Sequence, residues 1–503
     1  MRRRSFLNIA STGALSALAL AQSVSAQMGG MPRGGMGAMM GRLPPFRSGL
    51  PTGLPLPHLG TLANQSAVPG EFEGTLVASP YNASLVSGRT TELWGYNEQY
   101  PGPVIELREG QRVAITFANR LDLESTIHWH GLAVPADQDG SPMDPVEPYA
   151  DRLYTFEVPI GSAGTYWYHP HAHETNTLQV GHGLAAPLIV RGTDDPLEGI
   201  PEQTLMITSL ALDSNAQVFT GSTSMHGMGA MMMPGMSELL VNGRRLPVHT
   251  VTPGATERWR IINATADRYL RVSLDGHYFA VVGTDGGLLD QPLPGLSEWL
   301  LAPAQRVEIV VSMNTRRSTR YALRDLGYRG GMNGGSDNEL MMIQTSGAVA
   351  LAPVELPRIL RSTVALGPAT AQQRVVLSSA GMGMGMGMTG AFLINGKRFD
   401  MDRVDLETVV GRVELWEIVN ASFMDHPIHI HGTQFQVVGR TVRGVPIAAA
   451  SPGWFDTVNV PAGETVTIKT QQMLPGKRMF HCHLLPHEDA GMMAVLDVRA
   501  AAS

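Results

Sequence analysis

The sequence predicts an all-β fold built as three related antiparallel β-sandwiches, and three observations carry that expectation. First, short runs alternate apolar and polar residues between Gly, Pro and Asn, as in "RVAITFAN", "ERWRIIN", "RVEIVVSM" and "VELWEIVN". A period of two puts one face of a strand on a core and leaves little room for helix. Second, one plan occurs three times. "GQRVAITFANRLDLESTIHWHG" from Gly110, "GATERWRIINATADRYLRVSLDGHYFAVVG" from Gly254 and "GRVELWEIVNASFMDHPIHIHGTQFQVVG" from Gly411 each run glycine, strand to an Asn, turn, second strand. Third, "GTYWYHPH" from Gly164 matches "GKRMFHCH" from Gly476, with His-X-His at the same interval and Pro170 opposite Cys482. A chain of 503 residues is too long for one core, so several domains suit it.

Taken in order, the chain opens "MRRRSFLNIASTGALSALALAQSVSAQ". Basic residues precede a short apolar run and the small-residue pattern Val24-Ser25-Ala26, so residues 1–26 read as a cleavable export signal. Arg3-Arg4-Ser5-Phe6-Leu7 resembles the twin-arginine signal, which carries chains already folded, and the expected location is periplasmic or otherwise exported. The apolar run is too short to anchor, and no membrane partner is expected after cleavage. Residues 27–60, rich in Gly, Met and Pro, read as a tail. The sandwiches follow over 61–192, 193–352 and 353–503, joined through "RGTDDPLEGIPEQ" and "SGAVALAPVELPRI". The outer two carry histidines on the second strand of the shared plan. The middle one has Leu270, Ser273 and Asp275 where the third has His426, His429 and His431.

Net charge is −7 and spread along the chain, which excludes the electrostatic footprint of a nucleic-acid partner. Export usually brings disulfides. The one cysteine, Cys482, forbids an intrachain bridge and points to a metal held by the fold.

Four His-X-His units stand out: His128/His130, His169/His171, His429/His431 and His481/His483. On a strand, residues i and i+2 share a face, so each unit aims two imidazoles one way. Such a set suits copper, iron, nickel or zinc. His426, Cys482, His487 and Met492 choose among them: two nitrogens, a thiolate and a weak thioether make the blue-copper donor set. A structural zinc site draws more cysteines.

"HWHG", "YHPH", "HPIHIHG" and "HCHLLPHEDAGM", with "WGYNEQYPGPVIELREG" from Trp94, resemble the copper motifs and first-domain opening of the laccase-like, three-domain multicopper oxidases. The nearest style is that of bacterial periplasmic copper-efflux oxidases. The resemblance implies three cupredoxin-like Greek-key sandwiches and four copper ions: one type 1, one type 2 and two type 3. It implies type 1 ligands His426, Cys482, His487 and Met492, and type 2 ligands His128 and His429. One type 3 ion would take His130, His169 and His483, and the other His171, His431 and His481. The implied activity is one-electron oxidation of a reductant coupled to four-electron reduction of O2 to water. Cys482 is covalently joined to His481 and His483, which gives electrons a short path.

Water formation needs protons, and Glu488 and Asp139 (in "PADQDGSP") are the expected catalytic acids: the resemblance implies that they supply protons or tune the cluster through hydrogen bonds, a role raised pKa values would fit. His173 and His182 are surplus to the ligand count. Methionine clusters at Met28–Met40, in "MHGMGAMMMPGM" from Met225 and in "GMGMGMGM" ending at Met388. Thioethers are soft and prefer Cu(I). Met228, Met232, Met382, Met384, Met386 and Met388, with Met424 and Asp425 beside His426, are therefore candidate ligands of a substrate Cu(I). In the copper-efflux oxidases a Met-rich insertion in the third domain lies over the type 1 site. Here one run lies in the second domain and one opens the third, a departure from that pattern. Expected partners are O2 and Cu(I), for copper tolerance, or a small aromatic reductant in a laccase reading. A periplasmic copper-binding or scaffold protein is the non-enzyme alternative. A monomer is expected, since three domains close all the sites within one chain.

Overall fold

The computed structural model describes residues 49–219, 237–328, 330, 335–363, 365–380, 391–448 and 451–501. The signal segment, most of the tail and the methionines of 225–236 and 382–388 lie outside them. Among the described residues, strands form six sheets, two in each of three successive stretches of chain. Residues 71–191 supply two four-stranded sheets; residues 202–345 and 371–499 each supply a six-stranded and a five-stranded one. An apolar core lies between each pair: around Leu76, Ile115 and Trp129, around Trp259, Ile309 and Leu323, and around Trp416, Ile428 and Phe480. The fold is all-β with three cupredoxin-like sandwiches, three as the repeats predict and cupredoxin-like as the resemblance implies, but the sheets mix parallel with antiparallel pairs.

The alternation does what the pattern requires. Along Arg112–Asn119, Val113, Ile115 and Phe117 are buried while Arg112, Ala114 and Thr116 are more exposed. Each such side chain contributes about 1.5–3 kcal/mol on leaving water. In every sandwich the first strand of the shared plan runs parallel to the opening strand: Arg112–Asn119 on Glu71–Ala83, Thr256–Asn263 on Glu202–Leu210, Val413–Asn420 on Ala371–Ala380.

The recurrent Asn has one job in all three. The side-chain amide of Asn119 donates to the carbonyls of Leu123 and Val146, that of Asn263 to Arg268 and Leu301, and that of Asn420 to Met424 and Val460. A chain crossing from one sheet to the other leaves carbonyls unpaired, and a short amide satisfies two at once. This anchor also sets the register of the second strand. Leu270 pairs with Leu301 as His426 pairs with Val460, and Ser273 faces Glu298 as His429 faces Thr457. The middle sandwich therefore presents Leu and Ser where the third presents ligand histidines.

The ligand strands are neighbours within their sheets. His128–His130 lies against Gly164–His169, with His128 opposite His169. His426–Ile430 lies against Gly476–Cys482, with His429 opposite His481 and Ile428 opposite Cys482. Two short helices, Asn176–His182 and Leu485–Asp489, follow the two His-X-His turns and pack together. The Asp489 carboxylate accepts the backbone N–H groups of Asn176 and Thr177, which ties the first sandwich to the third. No described helix is long and apolar enough to cross a membrane.

Candidate metal centre

At the seam between the first and third sandwiches, eight imidazoles meet in full burial. Their donor atoms fall into three groups, His128/His130/His429, His130/His169/His483 and His171/His431/His481, the atoms of each within 4.8 Å of one another. A fourth group, His426/Cys482/His487, lies within the third sandwich. The seam explains why neither half of the chain completes the centre. Only His128–His130 lies wholly on a strand; His171, His431 and His483 stand just past strand ends, and a second sheet must close over the rings.

The hydrogen bonds fix which nitrogen each ring turns inward. Nδ1–H of His128 donates to the Asp139 carbonyl at 2.9 Å, that of His169 to Pro170 at 2.7 Å and that of His429 to Asp456 at 2.8 Å. His431 donates from Nδ1 to the Asp139 carboxylate at 2.8 Å. All four therefore present Nε2. His130 is reversed: its Nε2 lies 3.1 Å from Asp456 Oδ1, and its Nδ1 faces Nε2 of His169 at 3.4 Å. Such outer partners fix the tautomer and orientation of a metal-binding ring.

Burial pulls His169, His431, His481, His483 and His487 well below the ordinary imidazole range, so the rings are neutral and ready to donate lone pairs. Among the described residues neither ring nitrogen of His483 has a hydrogen-bond partner, nor has Nε2 of His487. A buried polar atom without a partner costs about 1–3 kcal/mol. A metal ion on His483 removes that cost for its donor nitrogen, so the residues fit such an ion.

In the fourth group Cys482 Sγ lies 3.5 Å from Nδ1 of His426 and 3.8 Å from Nδ1 of His487, and the two nitrogens are 3.2 Å apart. His426 contacts Ser422 Oγ through Nε2 at 2.8 Å. Phe392 stacks on His487. Met492 is buried in the same core, its carbonyl accepting the Cys482 N–H. Burial pushes the Cys482 thiol far up, so the apolar pocket alone keeps it protonated. A soft cation is what makes a thiolate stable there.

The two acids differ. Glu488 is buried, close to Asn176 Nδ2, with one oxygen 3.1 Å from Nδ1 of His481 and the other 3.4 Å from Nδ1 of His171. Burial raises its pKa, as expected from the sequence. Asp139 departs from that expectation. Burial pushes it up too, but His128, Arg478 and His171 outweigh the push and hold it below the usual range. It accepts from His431 and stays ionised, an orienting group rather than a proton reservoir.

Asp425, expected as a Cu(I) ligand, is engaged elsewhere. Its carboxylate accepts Tyr328 Oη–H at 2.6 Å, Asn459 Nδ2–H at 3.3 Å and the Ala462 N–H at 3.0 Å, fastening the middle sandwich beside His426. Met424 is half-buried against the same core. His173 packs edge-on to Phe399 and His182 stacks on Trp94, outside every ligand group. Asp456, Ser422 and Phe392 also touch the donor groups, and Arg306 touches Asp456. Arg306 stands in an alternating run and Ser422 in the repeated plan, but neither in a histidine motif, and only proximity reveals their part.

Family models described as multicopper oxidase match residues 78–195, 202–346 and 368–502. The chain is similar to a multicopper oxidase from Staphylococcus aureus, 29% identical over 84% of this chain and 88% of that protein. It is similar to a laccase from Bacillus subtilis, 28% identical over 81% of this chain and 90% of that protein. Among solved structures, a multicopper oxidase from Campylobacter jejuni described as a metallo-oxidase superposes with a TM-score of 0.81. It is 36% identical and covers 90% of this chain and 96% of its own. The four donor groups fit the four-copper arrangement of type 1, 2 and 3 sites.

Proposed function

The chain belongs to the multicopper oxidase family, and on that premise we propose that its reductant is the cuprous ion, oxidised in an exported compartment for copper tolerance. The carrying observation is the closure of the thiolate site. His426 and His487 are both fully buried and Phe392 covers His487 face to face. Ala380 and Ala391, which pair across a hairpin, bracket Met382–Met388 in sequence, and Phe392 follows directly. An arene finds no imidazole edge to touch, whereas a soft ion held by thioethers needs none. The likeness to a metallo-oxidase agrees.

We assign His426, Cys482, His487 and Met492 to type 1 copper, and His128 and His429 to type 2. His130, His169 and His483 take one type 3 ion; His171, His431 and His481 take the other. When bound, these ions supply the one-electron and O2 chemistry. The protein supplies the rest. Cys482 links the substrate-side group to His481 and His483 through a few covalent bonds. Asp139, ionised, orients His128 and His431. Glu488, whose pKa burial raises, stands beside His171 and His481, where a carboxyl could pass a proton. Asp425 stays a fastener, and the substrate role rests on the methionines, of which Met424 alone is among the described residues.

A second reading, oxidation of phenols or aromatic amines, draws on the likeness to a laccase. Phe423, 63% exposed, offers an arene a footing next to Ser422, which touches His426. The test measures O2 uptake with Cu(I) and with 2,6-dimethoxyphenol, in the parent and in a variant lacking 225–236 and 382–388. The expected variant loses Cu(I) turnover and keeps or gains phenol turnover. Unchanged Cu(I) kinetics would overturn the cuprous reading. No uptake with either donor would mean a copper-binding protein without turnover.

A further inference from the structure

The middle sandwich carries no ligand in the groups described, yet it reaches them through one side chain. Arg306 is fully buried on the strand Arg306–Ser312. Its Nη1 and Nη2 donate to Asp456 Oδ1 at 2.9 Å and Oδ2 at 2.6 Å, a bidentate pair. Nε–H donates to the Thr165 carbonyl of the first sandwich at 2.9 Å. The remaining two donors serve the carbonyls of Ala304 and Asp285 at 3.2 and 3.0 Å. All donors of the guanidinium are used, on three sandwiches at once.

What Arg306 holds is the residue that holds the ligands. Asp456 Oδ1 takes Nε2–H of His130, and its backbone carbonyl takes Nδ1–H of His429. Thr457 Oγ1–H also donates to Asp456 Oδ1 at 2.9 Å. His130 is the ring turned round to present Nδ1. A second observation agrees. Gly131 follows His130 with a φ of 88°, and a Cβ there would collide with Asp456 Oδ2 and Arg306 Nη2. The glycine of "HWHG" makes room for this pair.

We infer that Arg306 is a positioning residue for the histidine cluster. By clamping both oxygens of Asp456 it keeps His130 in its reversed orientation and His429 in place, so the middle sandwich takes part in the metal centre. A lysine has one nitrogen in place of the planar fork and reaches only one of these partners well.

The inference rests on the copper assignment above, and its test separates the two. Copper per chain, the thiolate-to-copper absorption, the near-ultraviolet band of the type 3 pair and the type 2 paramagnetic resonance spectrum are recorded for the parent, Arg306→Lys, Arg306→Gln, Asp456→Asn and the double variant Arg306→Gln/Asp456→Asn. The expected variants keep the thiolate band at the parental position and intensity, lose near-ultraviolet intensity and show a shifted type 2 spectrum. The double variant removes both charges, so it keeps the test alive if Arg306→Gln alone fails to fold. Parental cluster spectra with full copper in Arg306→Lys and the double variant would overturn the role of Arg306. Equal loss at all four sites, the thiolate band included, would mean a merely structural part and would overturn it too. A parent without the thiolate band sinks the copper assignment itself.

Discussion

Phe392 lies face to face with His487, ring centroids 3.7 Å apart and planes inclined by 19°. Because Phe392 is 1% exposed, it both fills the core and shields the imidazole. Phe392→Ala should cost about 3–5 kcal/mol in the third sandwich, as large core truncations do. It should also raise phenol turnover relative to Cu(I) turnover. Thermal melting and the ratio of kcat/KM values check both, and an unchanged ratio would remove Phe392 as a barrier to arenes.

Cys482→Ser removes the soft donor from a pocket that otherwise keeps its shape. The blue absorption and turnover should vanish while far-ultraviolet circular dichroism stays that of the parent. Retained blue colour would show that the thiolate belongs to no copper.

Met492→Leu swaps a weak axial donor for a side chain of similar volume, a change buried cores tolerate at under about 1.5 kcal/mol. Losing the donor favours the reduced ion, so the potential of the thiolate-bound copper should rise. Redox titration of the blue band reads this directly, and a fall would argue that Met492 is not a ligand.

Glu488→Gln keeps an acceptor oxygen for Asn176 Nδ2 but has no acidic proton to give. Reduction of the blue band by substrate under nitrogen should match the parent. Steady-state O2 consumption should fall by about 10²–10⁴-fold, the usual range for a lost general acid. Equal slowing of both steps would place the defect outside proton delivery.

Asp285 is buried beside Arg306 and Asp456. Burial pushes its carboxyl up, Arg306 pulls it down and Asp456 pushes it further, to about 7. The folded value lies above the unfolded one of about 3.9. The folded state therefore binds the proton more tightly, and this contribution is complete below about pH 4 and lost as pH rises through about 7. Asp285→Asn lacks the term, so its melting temperature should gain on that of the parent between pH 4 and 8. Parallel melting curves across that range would refute the assignment.

The clustered histidines were legible because His-X-His recurs four times, although only His128–His130 lies wholly on a strand and the other three units straddle a strand end. Cys482 was legible because it is the one thiol in the chain and stands between two histidines. Glu488 was legible from its place after His487 and from the family resemblance, and burial gives it the raised pKa. Asp139 was found by position but misjudged in charge, since nothing in "PADQDGSP" foretells that His128, His431 and Arg478 close around it. Asp456 lies in the unremarkable strand start "FDTVNV", and Arg306 belongs to a sandwich without ligands. Their partnership has no sequence period to announce it.

By itself, then, the sequence determined the strands, the threefold plan, the shared Asn anchors and the identity of the donor atoms. These depend on local backbone geometry and side-chain chemistry, which a single stretch of chain carries. Tertiary structure alone decided which nitrogen of each imidazole faces inward, which acid has its pKa lowered by its neighbours and which has it raised by burial. It also decided that the copper-free middle sandwich grips the cluster through Arg306. Those outcomes depend on distances between residues far apart in the chain, inside a low-dielectric interior where one neighbouring charge or carbonyl settles the balance.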